Sequence, residues 1–88
     1  MKDRRLTPAN KRVADPSLQS DWPGVSYVEP EPYAVHWPLV DLMNAPEGHR
    51  DRQLLFGDTV GVYETHEGWA FVRSDKDGYV GYVPKSSL

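Results

Sequence analysis

Phe56-Gly57-Asp58-Thr59-Val60-Gly61-Val62-Tyr63-Glu64-Thr65-His66-Glu67-Gly68-Trp69-Ala70-Phe71-Val72-Arg73, followed by Asp77-Gly78-Tyr79-Val80-Gly81-Tyr82-Val83-Pro84, is the stretch that decides the fold. Its apolar residues recur at every second position: Val60 with Val62, Ala70 with Val72, and Val80 with Tyr82 opposite Tyr79 and Val83. Period two is the signature of half-buried strands. His66-Glu67-Gly68 and Asp75-Lys76-Asp77-Gly78 supply the turns between them, and Pro84 ends the last ladder by removing a donor. Lys85-Ser86-Ser87 then has room for one 3₁₀ turn.

Outward from that stretch, Arg52–Phe56 reads as a strand returning to the core, and 43–51 as an exposed loop rich in turn formers and charges. Tyr33–Leu42 reads as a strand interrupted by Trp37-Pro38, which places it at an edge or a bend. Residues 1–34 hold five of the eight prolines and no sustained period, so they form an irregular arm. Within it, Val13-Ala14 and Ser26-Tyr27-Val28 are long enough only for brief edge strands, and Trp22 and Tyr27 are available either to pin the arm or to meet another domain. Short strands joined by short turns would leave open edges in a flat sheet; curling into a barrel removes most of them, and Gly61 and Gly81 permit the sharp coiling. The expected organisation is an all-β chain: an irregular N-terminal arm at 1–34 and a small five-stranded barrel at 35–88.

Composition narrows the chemistry. Eighty-eight residues make one small domain whose core depends on ten aromatic side chains. With no cysteine, disulfides, thiolate metal ligation and a cysteine nucleophile are excluded within this chain. A net charge of −3 argues against nonspecific nucleic-acid binding, although the first twelve residues carry five Lys and Arg against Asp3 alone. That basic arm is either a solvated tail or a dock for an acidic neighbour. No apolar run approaches the roughly 20 residues needed to span a bilayer, so neither membrane insertion nor a signal segment is expected; cellular location stays open.

His36, His49 and His66 lack ligand spacing, no serine has a local base and orienter, no glycine-rich phosphate cradle occurs, and Asp75 and Asp77 sit outside any calcium-loop pattern. No metal, cofactor or catalytic centre is expected.

The motifs Gly57-Asp58 with Val62, Gly68-Trp69-Ala70, and Asp77-Gly78-Tyr79-Val80-Gly81-Tyr82-Val83-Pro84 resemble the SH3 class, and most of all the bacterial SH3-like (SH3b) domain. With Asp51–Asp58, and a lead-in like that of some such enzymes at Asp3–Asn10, the chain resembles the N-terminal SH3b domain of NlpC/P60 cell-wall peptidases. The resemblance implies an SH3-like barrel and a noncatalytic module. That module positions peptidoglycan-derived peptide and docks a C-terminal NlpC/P60-type catalytic domain, which hydrolyses cell-wall peptides with a Cys-His centre absent here. Eukaryotic SH3 domains grip proline-rich peptides between rings. Trp69 and Pro84 match that groove, but the early aromatic run is missing and Ser87 stands in place of its second tyrosine.

The candidate ligand-binding residues are Trp69, Tyr79, Asp51, Arg52 and Tyr82. Trp69 follows a turn glycine and faces away from the Ala70/Val72 register, toward the rim or packed on the long loop. Tyr79 and Tyr82 lie on opposite faces, so one is a core ring and Tyr79 is the better candidate for an exposed hydroxyl. Asp51 suits an ammonium group and Arg52 a carboxylate; taken singly, either is also an ordinary solvated charge. A protein-interaction adaptor and a structural spacer remain the alternative functions.

Overall fold

The structure is a computed structural model that describes residues 4–19, 24–46 and 48–88; Trp22 lies outside them. A 3₁₀ turn at Arg4–Leu6 leads to β1 (Val13–Ala14), a second 3₁₀ turn at Pro16–Leu18, β2 (Ser26–Tyr27) and β3 (Glu31–Ala34). The remainder is β4 (Leu39–Met43), β5 (Arg50–Leu55), β6 (Thr59–His66), β7 (Trp69–Ser74) and β8 (Val80–Pro84), closed by a 3₁₀ turn at Lys85–Ser87.

These strands make two sheets, a parallel pair β1-β2 and a six-stranded sheet ordered β3-β6-β7-β8-β4-β5. The expected five-stranded barrel is therefore corrected: neither sheet closes on itself, and β3 and β5 are the two ends of an open sheet. Two features keep the ends apart. Proline at 32 gives β3 no backbone donor there, and the Trp37-Pro38 break splits what the sequence suggests is one strand into β3 and β4, which lie at opposite sides of the sheet. Single bonds carry the β3–β6 and β4–β5 pairings past the strand ends around the Trp37-Pro38 break. Gly57 N–H donates to the Val35 carbonyl at 2.9 Å, Phe56 N–H to that of Pro38 at 3.3 Å, and His36 N–H to that of Ser87 at 2.9 Å.

The long loop expected at 43–51 is shorter than its composition suggests. Asn44 closes it, pairing its N–H with the His49 carbonyl at 2.8 Å and accepting the His49 N–H on its own side chain at 2.9 Å, so that β4 and β5 form a hairpin. The turn at Glu67-Gly68 has two consecutive positive φ values, 53° and 84°, the backbone of a tight hairpin turn that matches strand twist.

Strand alternation distributes the apolar residues into two cores. Val35, Val40, Leu42, Leu54, Val60, Val62, Ala70, Val72 and Val83 form the main one, lined by residues from five strands of the same bent sheet. Val13, Tyr63, Phe71 and Val80 form a second core on the opposite face, with Val28 and Tyr82 against it. The N-terminal residues thus cover the outer face of β6, β7 and β8. A bulge between Val62 and Glu64 turns Tyr63 toward that outer core beside Phe71, ring centroids 5.8 Å apart.

Polar contacts hold this arm in place. Asn10 accepts the N–H groups of Arg12 and Val13 and donates to Glu64 and to the Tyr82 hydroxyl, both at 2.9 Å. Arg12 forks onto the Glu64 carboxylate at 2.6–3.0 Å. The Tyr63 hydroxyl donates to Asp15 at 2.6 Å, with Arg73 3.6 Å from the same oxygen. Burial, together with the Asp15 carboxylate, pushes the Tyr63 phenol up. Burial also pushes Asp15 up, but the Tyr63 hydroxyl, the Ser17 amide and Arg73 outweigh it and hold the carboxyl below its usual range. Glu64 behaves alike, its desolvation outweighed by Arg12 and Asn10.

Both carboxyls have native pKa values below their unfolded ones, so their stabilisation is complete above the unfolded values of about 4 and is lost as pH falls through the lower native values. Acidification below about pH 4 is therefore expected to loosen the arm first. Amide exchange at Val13, Ala14 and Val28 should rise before exchange at Leu54 or Val72; simultaneous loss would contradict it.

Candidate functional site

A groove of about 440 Å³ is lined by Trp37, Leu39, Val40, Asp41, Met43, Arg50, Gln53, Trp69 and Pro84. One wall is the β4–β5 hairpin; the other is Trp69 and Pro84, directly paired across β7 and β8. The tight turn at Glu67-Gly68 fixes Trp69 at the first position of β7, and Pro38 turns the chain so that Trp37 stands at the groove, 38% exposed. The groove is within the range of about 300–1,000 Å³ typical of small-ligand sites, so it suits a short extended segment and not a folded partner. Neither indole has a ring partner or hydrogen bond among the described residues.

Polar groups are few and placed on one side. Gln53 donates to Asp41 Oδ1 at 3.0 Å, and Arg50 Nη1 stands 3.8 Å from that same oxygen. Ser87 is fully buried and its hydroxyl donates to the Pro84 carbonyl at 2.6 Å, so it presents nothing to the groove. Trp37, absent from the sequence candidates, takes the place of a second ring. Its only signal in the sequence is the Trp-Pro break at a strand border.

The five sequence candidates do not converge. Trp69 lines the groove; Tyr79, Arg52, Asp51 and Tyr82 do not. Arg52 lies over the Tyr79 ring at 4.6 Å and pairs with Asp77 at 2.5 Å, while Arg5 of the arm approaches the same ring at 5.7 Å. Tyr79 itself packs against the main core, half-buried. Tyr82 is also half-buried, on the outer face, with its ring 5.0 Å from Phe71 and its hydroxyl held by Asn10. Asp51 sits half-buried on β5 beside Arg52.

Among the described residues no group of three or more His, Cys, Asp or Glu could hold a metal ion, and the chain has no cysteine to act as nucleophile. No helix among them is long and apolar enough to cross a membrane. The all-β scaffold, the Trp69–Pro84 wall and the terminal 3₁₀ turn are those of a small module of SH3-like type. Residues 42–88 match the family of the bacterial dipeptidyl-peptidase SH3 domain, and the chain belongs to it. No curated protein and no solved structure matches the chain.

Proposed function

We propose that this chain is the noncatalytic SH3b module of a bacterial cell-wall peptidase of NlpC/P60 type, which positions a peptidoglycan-derived peptide and docks a C-terminal catalytic domain. The observation that carries the reading is the groove itself: two uncommitted indoles facing a wall that holds one carboxylate, one guanidinium and one amide. Such a surface gives apolar contact to a peptide's side chains and hydrogen bonds to its ends, and it offers no group to cleave a bond. Membership of a family described by a dipeptidyl-peptidase supports a short peptide as the ligand.

In this proposal Trp69 meets the peptide directly. Asp51, Arg52 and Tyr79 form a second rim that the peptide reaches when the catalytic domain closes over the module, and Tyr82 supports the arm. Docking would cover the exposed Leu39, Leu55 and Phe56; Leu39 and Leu55 are cross-strand partners, and Phe56 follows Leu55 directly.

The test is an NMR titration with muropeptides, on this chain alone and on the chain joined to its catalytic neighbour. Shifts of the Trp37 and Trp69 indole resonances, larger in the joined protein, are the expected result. No substrate-dependent change in either form would remove the proposal. Trp69→Ala is expected to abolish the shifts while leaving the fold intact, because its side chain is only half-buried at the rim.

A further inference from the structure

The charged residues of the groove are only half engaged. Asp41 and Arg50 approach no closer than 3.8 Å, beyond hydrogen-bond length, and their side chains are 49% and 57% exposed. Gln53 and Arg50 both address Oδ1 of Asp41, so Oδ2 has no partner among the described residues. The Arg50 guanidinium likewise donates no hydrogen bond among them. An exposed pair at this distance contributes little to stability, and exchanging it for a ligand's charges therefore gives up little. The pair also shares the groove with the apolar side chains of Trp37, Leu39, Met43, Trp69 and Pro84.

We infer that the groove selects a zwitterionic amino-acid head group carried on an apolar stem. The ammonium sits at Asp41 Oδ2, the carboxylate forks onto Arg50, and the stem lies along the indoles of Trp37 and Trp69. Both charges are needed because each would otherwise leave one of the opposed protein charges facing its like. A charge-assisted hydrogen bond on each side fixes the head group's orientation, and Gln53 holds the Asp41 carboxylate still. This deepens the proposed function by naming the part of the peptide the groove reads, and it rests on the groove being the peptide site.

The test uses three small probes at millimolar concentration, followed by the Trp37 and Trp69 indole resonances: norleucine, N-acetylnorleucine and norleucine amide. Norleucine should bind at least about tenfold more tightly than either capped form, the factor that about 1.4 kcal/mol represents. Asp41→Asn should erase the preference over the N-acetyl probe while keeping that over the amide, and Arg50→Gln should do the reverse. Both residues are half exposed, so neither variant threatens the fold. Equal binding of the three probes, or no shift with norleucine, overturns the inference. If muropeptides shift the indoles but the probes are not discriminated, the head-group assignment fails and the peptide site stands. If norleucine is discriminated but muropeptides do nothing, the site reads amino acids and the peptide reading fails.

Discussion

Gly81→Ala is expected to lower stability by about 3 kcal/mol, at the upper end of what overpacking does, because relief requires a backbone shift and not a rotamer change. A Cβ built there stands 2.5 Å from the Met43 carbonyl oxygen and 2.9 Å from Leu42 Cγ. The first contact is with backbone, so relief requires β4 to move away from β8, and β4 reaches β8 through a single ladder pair, Met43 with Tyr82. In a domain of this size each kcal/mol shifts the melting midpoint by about 4–8 °C, so a scan of thermal unfolding reads the effect directly. Gly61→Ala is the control. Its Cβ would meet the Pro30 ring at 2.7 Å (Cβ) and 3.3 Å (Cγ), just before edge strand β3, whose chain can shift outward, and a smaller loss of about 1–2 kcal/mol is expected. Equal losses at the two glycines would contradict this account. The functional consequence of Gly81→Ala is separate: moving β4 from β8 widens the groove between Asp41 and Trp69, so indole shifts on muropeptide addition should weaken even where the variant remains folded.

Leu54→Ala should remove about 2–5 kcal/mol, since Leu54 is fully buried and its loss leaves a cavity at the centre of the main core. For 88 residues the whole stability is on the order of 4–13 kcal/mol, so the variant stands near the edge of folding. Leu55→Ala, one position along the same strand and 53% exposed, should stay within about 0.5 kcal/mol. Urea unfolding of the pair checks the contrast, and comparable midpoints would mean that the burial assigned to β5 is wrong.

Strands β6, β7 and β8 are legible in the sequence because period-two alternation survives in each: Val60 with Val62, Ala70 with Val72, and Tyr79 with Val83 opposite Val80 with Tyr82. The structure sends these opposite sets into different cores. What alternation does not reveal is that both faces are covered. Phe71, Tyr63 and Val80 meet an arm some fifty residues earlier in the chain, and Val13 has no periodic context that would tie it to them. The same limit hides β3. Pro32 reads as a break, yet at a sheet edge a missing donor faces no partner and is tolerated.

Closure is the point where sequence reasoning goes wrong, and the reason is local. Curling is legible in Gly61 and Gly81, but whether the two ends join depends on Pro32 and on the Trp37-Pro38 break that sends β3 and β4 to different sides. The groove is illegible for a related reason. Trp37, Asp41, Arg50 and Trp69 come from segments up to 32 positions apart, and only the β4–β5 hairpin and the β7–β8 pairing bring them together. Single-residue chemistry pointed to Arg52 and Tyr79, whose side chains stack on each other outside the groove.

The two ends of the open sheet are unlike in a way that matters when molecules crowd. At β3 a proline ring blunts the edge, so a neighbouring strand gains no continuous ladder there. At β5 the first four residues, Arg-Asp-Arg-Gln, keep the edge hydrated, but Leu55 and Phe56 at its far tip are 53% and 69% exposed. Concentrated solutions will therefore self-associate, where they do, from that tip, and replacing Phe56 with a charged residue is the change that raises solubility without touching either core.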